Sequence, residues 1–261
     1  MTIAGSDSGA GAGIQADLKT FAAMGVYGTS VLTAITAQNT MRVANAMELP
    51  ASLVASQIDA VLTDIGTDAV KTGMLSSSAI IEVVSAKIRE HGISDLVVDP
   101  VMVAKGGDRL LREDAVDALK TLLIPLARVV TPNRHEAEVV TGREVQTLDD
   151  AREAARAIVE MGARAAIVKG GHFEGPATDI LYDGQEFRAF TAPRVDTTST
   201  HGTGCTFASA IAAGLAQGKS VRDSVAEAKR YVTEAIRTAF PMGDGHGPLN
   251  HFHAMWESSS T

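Results

Sequence analysis

Two rhythms of apolar residues alternate along this chain. Short unbroken apolar runs, such as Leu96-Val97-Val98 and Ala165–Val168, read as strands buried on both faces. Between them apolar positions return every three or four residues, the period of a helix with one buried face. The pattern predicts a truncated first strand at Thr2–Ala4, a glycine-rich turn from Gly5 to Gly13, and a helix over Ile14–Met24. Ile14, Leu18, Phe21 and Ala22 form that helix's apolar face. A strand follows at Tyr27–Ala34, then a helix at Ala51–Asp64 with Leu53, Ile58, Val61 and Leu62 turned inward. Ala69–Thr72 reads as a short strand, and Ser78–His91 as a helix that Gly92 stops. Further strands are predicted at Leu96–Asp99, Arg128–Thr131 and Ala165–Val168. Further helices are predicted near Arg112–Leu123, Asp149–Met161, Thr206–Gln217 and Val221–Thr238.

Buried strands alternating with helices predict an α/β protein: three α/β/α layers around a mostly parallel sheet. Such sheets bind ligands at the carboxyl ends of their strands. Gly5–Gly13, Gln38, Gly73, Met74, Asp99, Asn133 and Lys169 all follow predicted strands, so they predict one shared site. No repeat or linker divides the chain. A single domain is expected over residues 1–257, with 258–261 as a disordered tail.

Composition narrows the ligand class. The 261 residues are 45% hydrophobic and 21% charged, with a net charge of −8. No basic cluster is present, so no nucleic-acid partner is expected. No apolar run is long enough for a membrane span, and the N-terminus lacks a signal-peptide pattern. The single cysteine excludes an internal disulfide and suits a reducing cytoplasm.

The chemistry concentrates in Thr200-His201-Gly202-Thr203-Gly204-Cys205-Thr206, just ahead of an Ala-rich helical run. Open N–H groups at a helix N-terminus attract phosphate, and a thiol there has its ionised form favoured. The segment also reads as a plain turn, with Cys205 a small buried hydrophobe. Asp99 and Glu136 near strand ends offer oxygen ligands suited to Mg²⁺. Glu136 also reads as a solvated residue in the first turn of a helix. Lys169 either steers phosphates or snorkels to solvent. Gly9, Gly11 and Gly13 do not make a dinucleotide fingerprint, because Ile14 stands where its last glycine belongs. Gly218-Lys219-Ser220 lacks the leading glycine and the strand of a Walker loop. His246, His251 and His253 lack the companions of a zinc site.

Nine segments in order resemble the hydroxymethylpyrimidine/phosphomethylpyrimidine kinases, the thiamine-pathway branch of the ribokinase-like superfamily. They include Thr2–Ser8, Gly13–Lys19, Ala37–Thr40, Lys71–Met74, Val98–Met102, Thr131–Glu138, Val168–His172, Thr200–Thr206 and Gly245–His251. The first loop departs slightly, reading Ser8-Gly-Ala-Gly-Ala-Gly13. The resemblance implies a ribokinase-like fold and an ATP site near Asn133, Lys169 and Thr203. It implies a pyrimidine pocket near Gly5, Asp17, Gln38, Met74, Val101 and Cys205. It implies an anion hole from Gly202 through Thr203 and Gly204 to Cys205, with Cys205 and Lys169 catalytic and Asp99 and Glu136 holding Mg²⁺. Two phosphoryl transfers from MgATP would give first the monophosphate, then the diphosphate. A homodimer through Ala46–Leu49 is expected by the same resemblance. Pyridoxal kinases share the fold and the Gly-Thr-Gly-Cys ending. The Gln38 carboxamide favours the pyrimidine, because it can pair with a ring nitrogen and an exocyclic amine together. A non-catalytic pyrimidine-binding module would have no need of Asp99, Glu136 and Cys205 together. A repair dehydratase of the superfamily is disfavoured by the context of Cys205.

Overall fold

The computed structural model describes residues 1–103, 107, 110–112, 114–171, 173 and 175–255. His172 and the expected tail 258–261 lie outside them. Nine strands form one sheet: β1 (Thr2–Asp7), β2 (Ser30–Gln38), β3 (Val43–Glu48), β4 (Val70–Thr72), β5 (Leu96–Val98), β6 (Val129–Val130), β7 (Ala166–Val168), β8 (Ala177–Tyr182) and β9 (Phe187–Ala192). Their order is β3-β2-β1-β4-β5-β6-β7-β8-β9. The six central strands, β2-β1-β4-β5-β6-β7, pair in parallel, while β3, β8 and β9 add antiparallel edges.

The helices are α1 (Gly13–Ala23), α2 (Ala51–Leu62), α3 (Ser78–Glu90), α4 (Ala115–Ala118), α5 (Arg134–Thr141), α6 (Leu148–Glu160), α7 (Thr203–Ala216) and α8 (Val221–Arg237). Successive strand residues point to opposite faces. Thus Val98 and Val168 join the core under α2–α6, whereas Val97 and Ile167 join the core under α1, α7 and α8. Those two cores make the expected three layers.

Several boundaries differ from the sequence expectation. β1 continues through Asp7, so Gly5 and Ser6 are strand residues rather than turn. β2 begins at Ser30, leaving Tyr27 83% exposed ahead of it. In α2 the buried stripe is Val54 and Ile58, four apart, and Leu53 faces solvent at 46% exposure. The helix expected over Arg112–Leu123 is only a short α4, followed by a π-type turn at Leu119–Leu123 and a 3₁₀ turn at Ile124–Leu126. Pro125 lacks an N–H, so the chain cannot continue a regular helix there. α7 starts at Thr203, three residues early, because Gly202 turns the chain straight into it.

Candidate active site

A cavity of about 1090 Å³ opens along the carboxyl ends of the parallel strands. Strand order sets out its wall: Gln38 at the end of β2, Gly5 and Asp7 on β1, Met74 after β4, Asp99 and Val101 after β5, Asn133 after β6, and Lys169 after β7. Gly202, Thr203, Gly204 and Cys205 complete it. The structure therefore gathers every expected site residue into one cavity, with one exception.

That exception is Asp17. Its side chain is fully buried and does not line the cavity. Lys71 Nζ donates to both its oxygens at 2.9 Å, and the hydroxyls of Thr2 and Ser209 donate to it at 2.6 Å each. With four hydrogen bonds from three buried donors, the carboxylate has nothing left to offer a pyrimidine. Its role is to hold Lys71, a residue the sequence reading passed over. A lysine inside the three-residue buried strand β4 was the available signal. Burial alone would lower the Lys71 pKa, but Asp17, Cys205 and Asp99 outweigh it and keep the amine charged.

Gly202 carries a φ of 81° at the N-terminus of α7, and a Cβ there would lie 1.8 Å from the Gly11 carbonyl oxygen. Only glycine fits this turn. Among the described residues the N–H groups of Gly204 and Cys205 meet no acceptor, as an anion hole requires. The Thr203 hydroxyl is spent on the Thr200 carbonyl at 2.7 Å. Gly204 also gives room to Lys169, whose Nζ would stand 3.1 Å from a Cβ there.

Cys205 departs from expectation. Burial pushes its thiol up to about 11, against the pull of Lys71 and a Gly13 backbone hydrogen bond. The helix N-terminus does not by itself leave a thiolate here at neutral pH, because desolvation wins.

Lys169 does not snorkel. Its Nζ donates to Asp99 Oδ1 at 2.8 Å and lies 3.8 Å from Glu136 Oε2. Thr131 donates to the same Asp99 oxygen at 3.0 Å. Glu136 is 5% exposed, so it is not a solvated first-turn residue. It caps α5 reciprocally: Glu136 N–H donates to Asn133 Oδ1 at 2.9 Å, and Asn133 N–H donates to Glu136 Oε2 at 2.7 Å. Burial raises the Glu136 pKa to about 7, with Lys169 opposing and Asp99 assisting.

At the other end Gly5 makes room for Met74, whose sulfur would be 3.0 Å from a Cβ on residue 5. Two further pairs line the cavity without having been anticipated. Asp7 bonds His201, and Asp179 bonds Lys229 at 2.8 Å while accepting from Gly170 N–H. His201 lies in the stretch Thr200–Thr206 already singled out, and Asp7 in the turn expected from Gly5 to Gly13.

Comparison with known proteins bears on this arrangement. A family model described as phosphomethylpyrimidine kinase matches residues 7–250. The chain is 55% identical over 97% of its length to the thiamine biosynthesis bifunctional protein ThiED of Geobacter sulfurreducens, and spans about half, 52%, of that longer protein. It is 50% identical to the hydroxymethylpyrimidine/phosphomethylpyrimidine kinase of Bacillus subtilis, covering 97% of this chain and 94% of that one. A solved ADP complex of Bacillus subtilis pyridoxal kinase superposes with a TM-score of 0.91 at 40% identity, covering 97% of each chain. The ribokinase-like fold is thus common to both kinds of kinase, while sequence identity is higher to the pyrimidine enzyme. Matched by that family model over residues 7–250 and half identical to a named member, the chain belongs to the phosphomethylpyrimidine kinase family.

Proposed function

We propose that this chain transfers the γ-phosphoryl group of MgATP to the hydroxymethyl oxygen of 4-amino-5-hydroxymethyl-2-methylpyrimidine, and then to the resulting monophosphate. The observation that carries this reading is the position of the α7 N-terminus. Its free N–H groups open onto the same cavity as Gln38 on the β2 side and Lys169 on the β7 side. An acceptor held near Gln38, Met74 and Val101 and a triphosphate held near Asn133, Thr203 and Lys169 would meet at Gly202–Cys205. Phosphoryl transfer is mainly positioning and charge neutralisation, which this arrangement supplies.

The donor set fits a hard divalent cation. Asp99 Oδ1 is taken by Lys169 and Thr131, while Oδ2 lies on the side of Gly204, 3.7 Å from where a Cβ would stand. Asp99, with Glu136 directly or through water, would hold Mg²⁺, which would neutralise triphosphate charge. The chain's own groups do the remainder. Lys169 and the Gly204 and Cys205 amides stabilise the moving phosphoryl group. Cys205, once deprotonated, accepts the hydroxyl proton in the first transfer. The second acceptor is an ionised phosphate and needs no base.

The exposed edge β3 offers a homodimer surface. Ile35 and Met47 pair across β2 and β3 and are 44% and 60% exposed. A molar mass by light scattering that drops on Met47→Lys supports that contact, and an unchanged mass removes it. A lone thiol facing such a site suits a reducing compartment, here the cytoplasm.

The reaction is tested by measuring ATP consumption with hydroxymethylpyrimidine, its monophosphate and pyridoxal side by side. Turnover of both pyrimidines above pyridoxal supports the reading. Turnover of pyridoxal alone replaces it with a pyridoxal kinase.

A further inference from the structure

Of the C-terminal segment Gly245–His251, only His246 lines the cavity. The remainder holds the anion-hole turn at both ends. Ahead of Gly202, the His201 N–H donates to the Gly247 carbonyl at 3.0 Å. Past Cys205, the Thr206 hydroxyl meets His251 Nε2 at 3.0 Å. Gly202–Cys205 is thus strung between two points of one short segment. That segment is itself tied to α8. Tyr231 Oη donates to the His251 carbonyl at 2.7 Å, and the Asn250 N–H donates to the Ala235 carbonyl at 3.0 Å.

The direction of the Thr206–His251 bond follows from the protons available. His251 is 3% exposed. Burial lowers its pKa to about 4, with the Lys19 charge adding and a backbone hydrogen bond at Leu249 opposing. The ring is therefore neutral at neutral pH and carries one proton. A backbone bond that favours the charged ring runs from a ring N–H to a carbonyl. Nε2 faces Thr206, so that proton sits on Nδ1 and Nε2 is left an acceptor. Thr206 has no solvent exposure, and among the described residues its hydroxyl has no second partner. Its proton goes to Nε2. A proton on Nε2 instead would leave a buried hydroxyl with nothing to donate to.

Thr206 closes the first turn of α7. Its N–H donates to the Gly202 carbonyl at 2.9 Å, and the free N–H groups of Gly204 and Cys205 lie within that turn. Local preference holds the turn weakly, because it starts at a glycine with no side-chain cap and includes a second glycine, Gly204. We propose that His251 is a positioning residue for phosphoryl transfer: by accepting the Thr206 hydroxyl it fixes the first turn of α7, and with it the direction of the Gly204 and Cys205 N–H groups. Both transfers use those N–H groups, so both depend on His251 alike. Cys205 differs, since only the first transfer needs a base.

This inference rests on the kinase reading above, and its test separates the two. The tautomer is read without substrate, by ¹⁵N NMR of histidine-labelled protein, with His251 assigned from the His251→Gln spectrum. A proton on Nδ1 and a bare Nε2 are expected. A proton on Nε2 overturns the proposal whatever the acceptor. The kinetic arm measures kcat per folded enzyme for hydroxymethylpyrimidine and for its monophosphate. A parent inactive on both counts against the reaction rather than against His251, and the same kinetics are then run on pyridoxal. His251→Ala should lower kcat about tenfold, by the same factor on both substrates, as a small misplacement at the reacting centre does. KM for pyrimidine and for ATP should change much less. His251→Gln, whose side-chain oxygen can stand where Nε2 does, should recover most of the loss. Thr206→Val should reproduce the loss and Thr206→Ser should not, and this pair decides the matter if His251→Ala does not fold. In a Thr206→Val background His251→Ala should add little. Additive losses, a loss on one substrate only, or lower stability with kcat unchanged would overturn the proposal.

Discussion

Lys71 and Asp17 form an ion pair 2.9 Å apart in which neither side chain has any solvent exposure. It joins β4 to α1, and through Ser209 it reaches α7, the helix that begins at the anion hole. Removing one partner strands a charge in the core. Lys71→Met should cost about 3–5 kcal/mol of stability, the usual scale for a buried pair broken on one side. Lys71→Met with Asp17→Leu should recover most of it. Urea unfolding midpoints measure both; equal losses in the single and double variants would show that the pair is not the cause.

Cys205 should make the first transfer pH-dependent. A thiol with a pKa of about 11 is protonated at neutral pH, and its thiolate fraction rises tenfold per pH unit below that value. kcat/KM for hydroxymethylpyrimidine should climb with a slope near one above neutral pH. The monophosphate has an ionised acceptor and should give a flat profile there. Cys205→Ala should abolish the climb and slow the first transfer about 10²–10⁴-fold, while slowing the second much less. Parallel profiles for the two substrates would return Cys205 to a packing role.

The legible part of this fold was its periodicity. A buried run such as Leu96–Val98 and a helix near Asp149–Met161 need no tertiary knowledge, and both fall within a residue of where the pattern puts them. β8 and β9 went unseen, although Asp183-Gly184 between two alternating runs is a hairpin signal. The placement of chemistry at strand ends was legible because parallel topology dictates it. What was not legible was partnership across the fold. Asp17 and Lys71 stand 54 residues apart, and only packing shows that each consumes the other. The protonation of Cys205 is not legible for the same reason: helix position is local, whereas desolvation depends on everything folded over it.

Glu136 should link Mg²⁺ demand to pH. Its carboxyl, raised to about 7, binds a cation only when ionised. As pH falls below 7 the Mg²⁺ concentration for half activity should rise. Glu136→Gln keeps the α5 capping box, since glutamine serves equally at that position. The variant should need more Mg²⁺ than the parent above pH 7, converge with it at lower pH, and lose the pH dependence. A Mg²⁺ titration superimposing on the parent's would leave Glu136 as a helix cap alone.

Gln38→Leu removes both polar groups from the pyrimidine seat while keeping the volume. Binding should weaken by about 1–3 kcal/mol for each ring group left unpaired. KM for hydroxymethylpyrimidine should rise and KM for ATP should not. An unchanged pyrimidine KM would place the acceptor elsewhere in the cavity.

The central claim is that one site phosphorylates the pyrimidine twice in sequence. Following a single reaction of enzyme, MgATP and hydroxymethylpyrimidine by ³¹P NMR tests it most directly. The account predicts a monophosphate signal that rises and then falls as a diphosphate pair replaces it, with two ATP consumed per pyrimidine. A monophosphate that accumulates without conversion, or ATP left intact beside the pyrimidine, would contradict it.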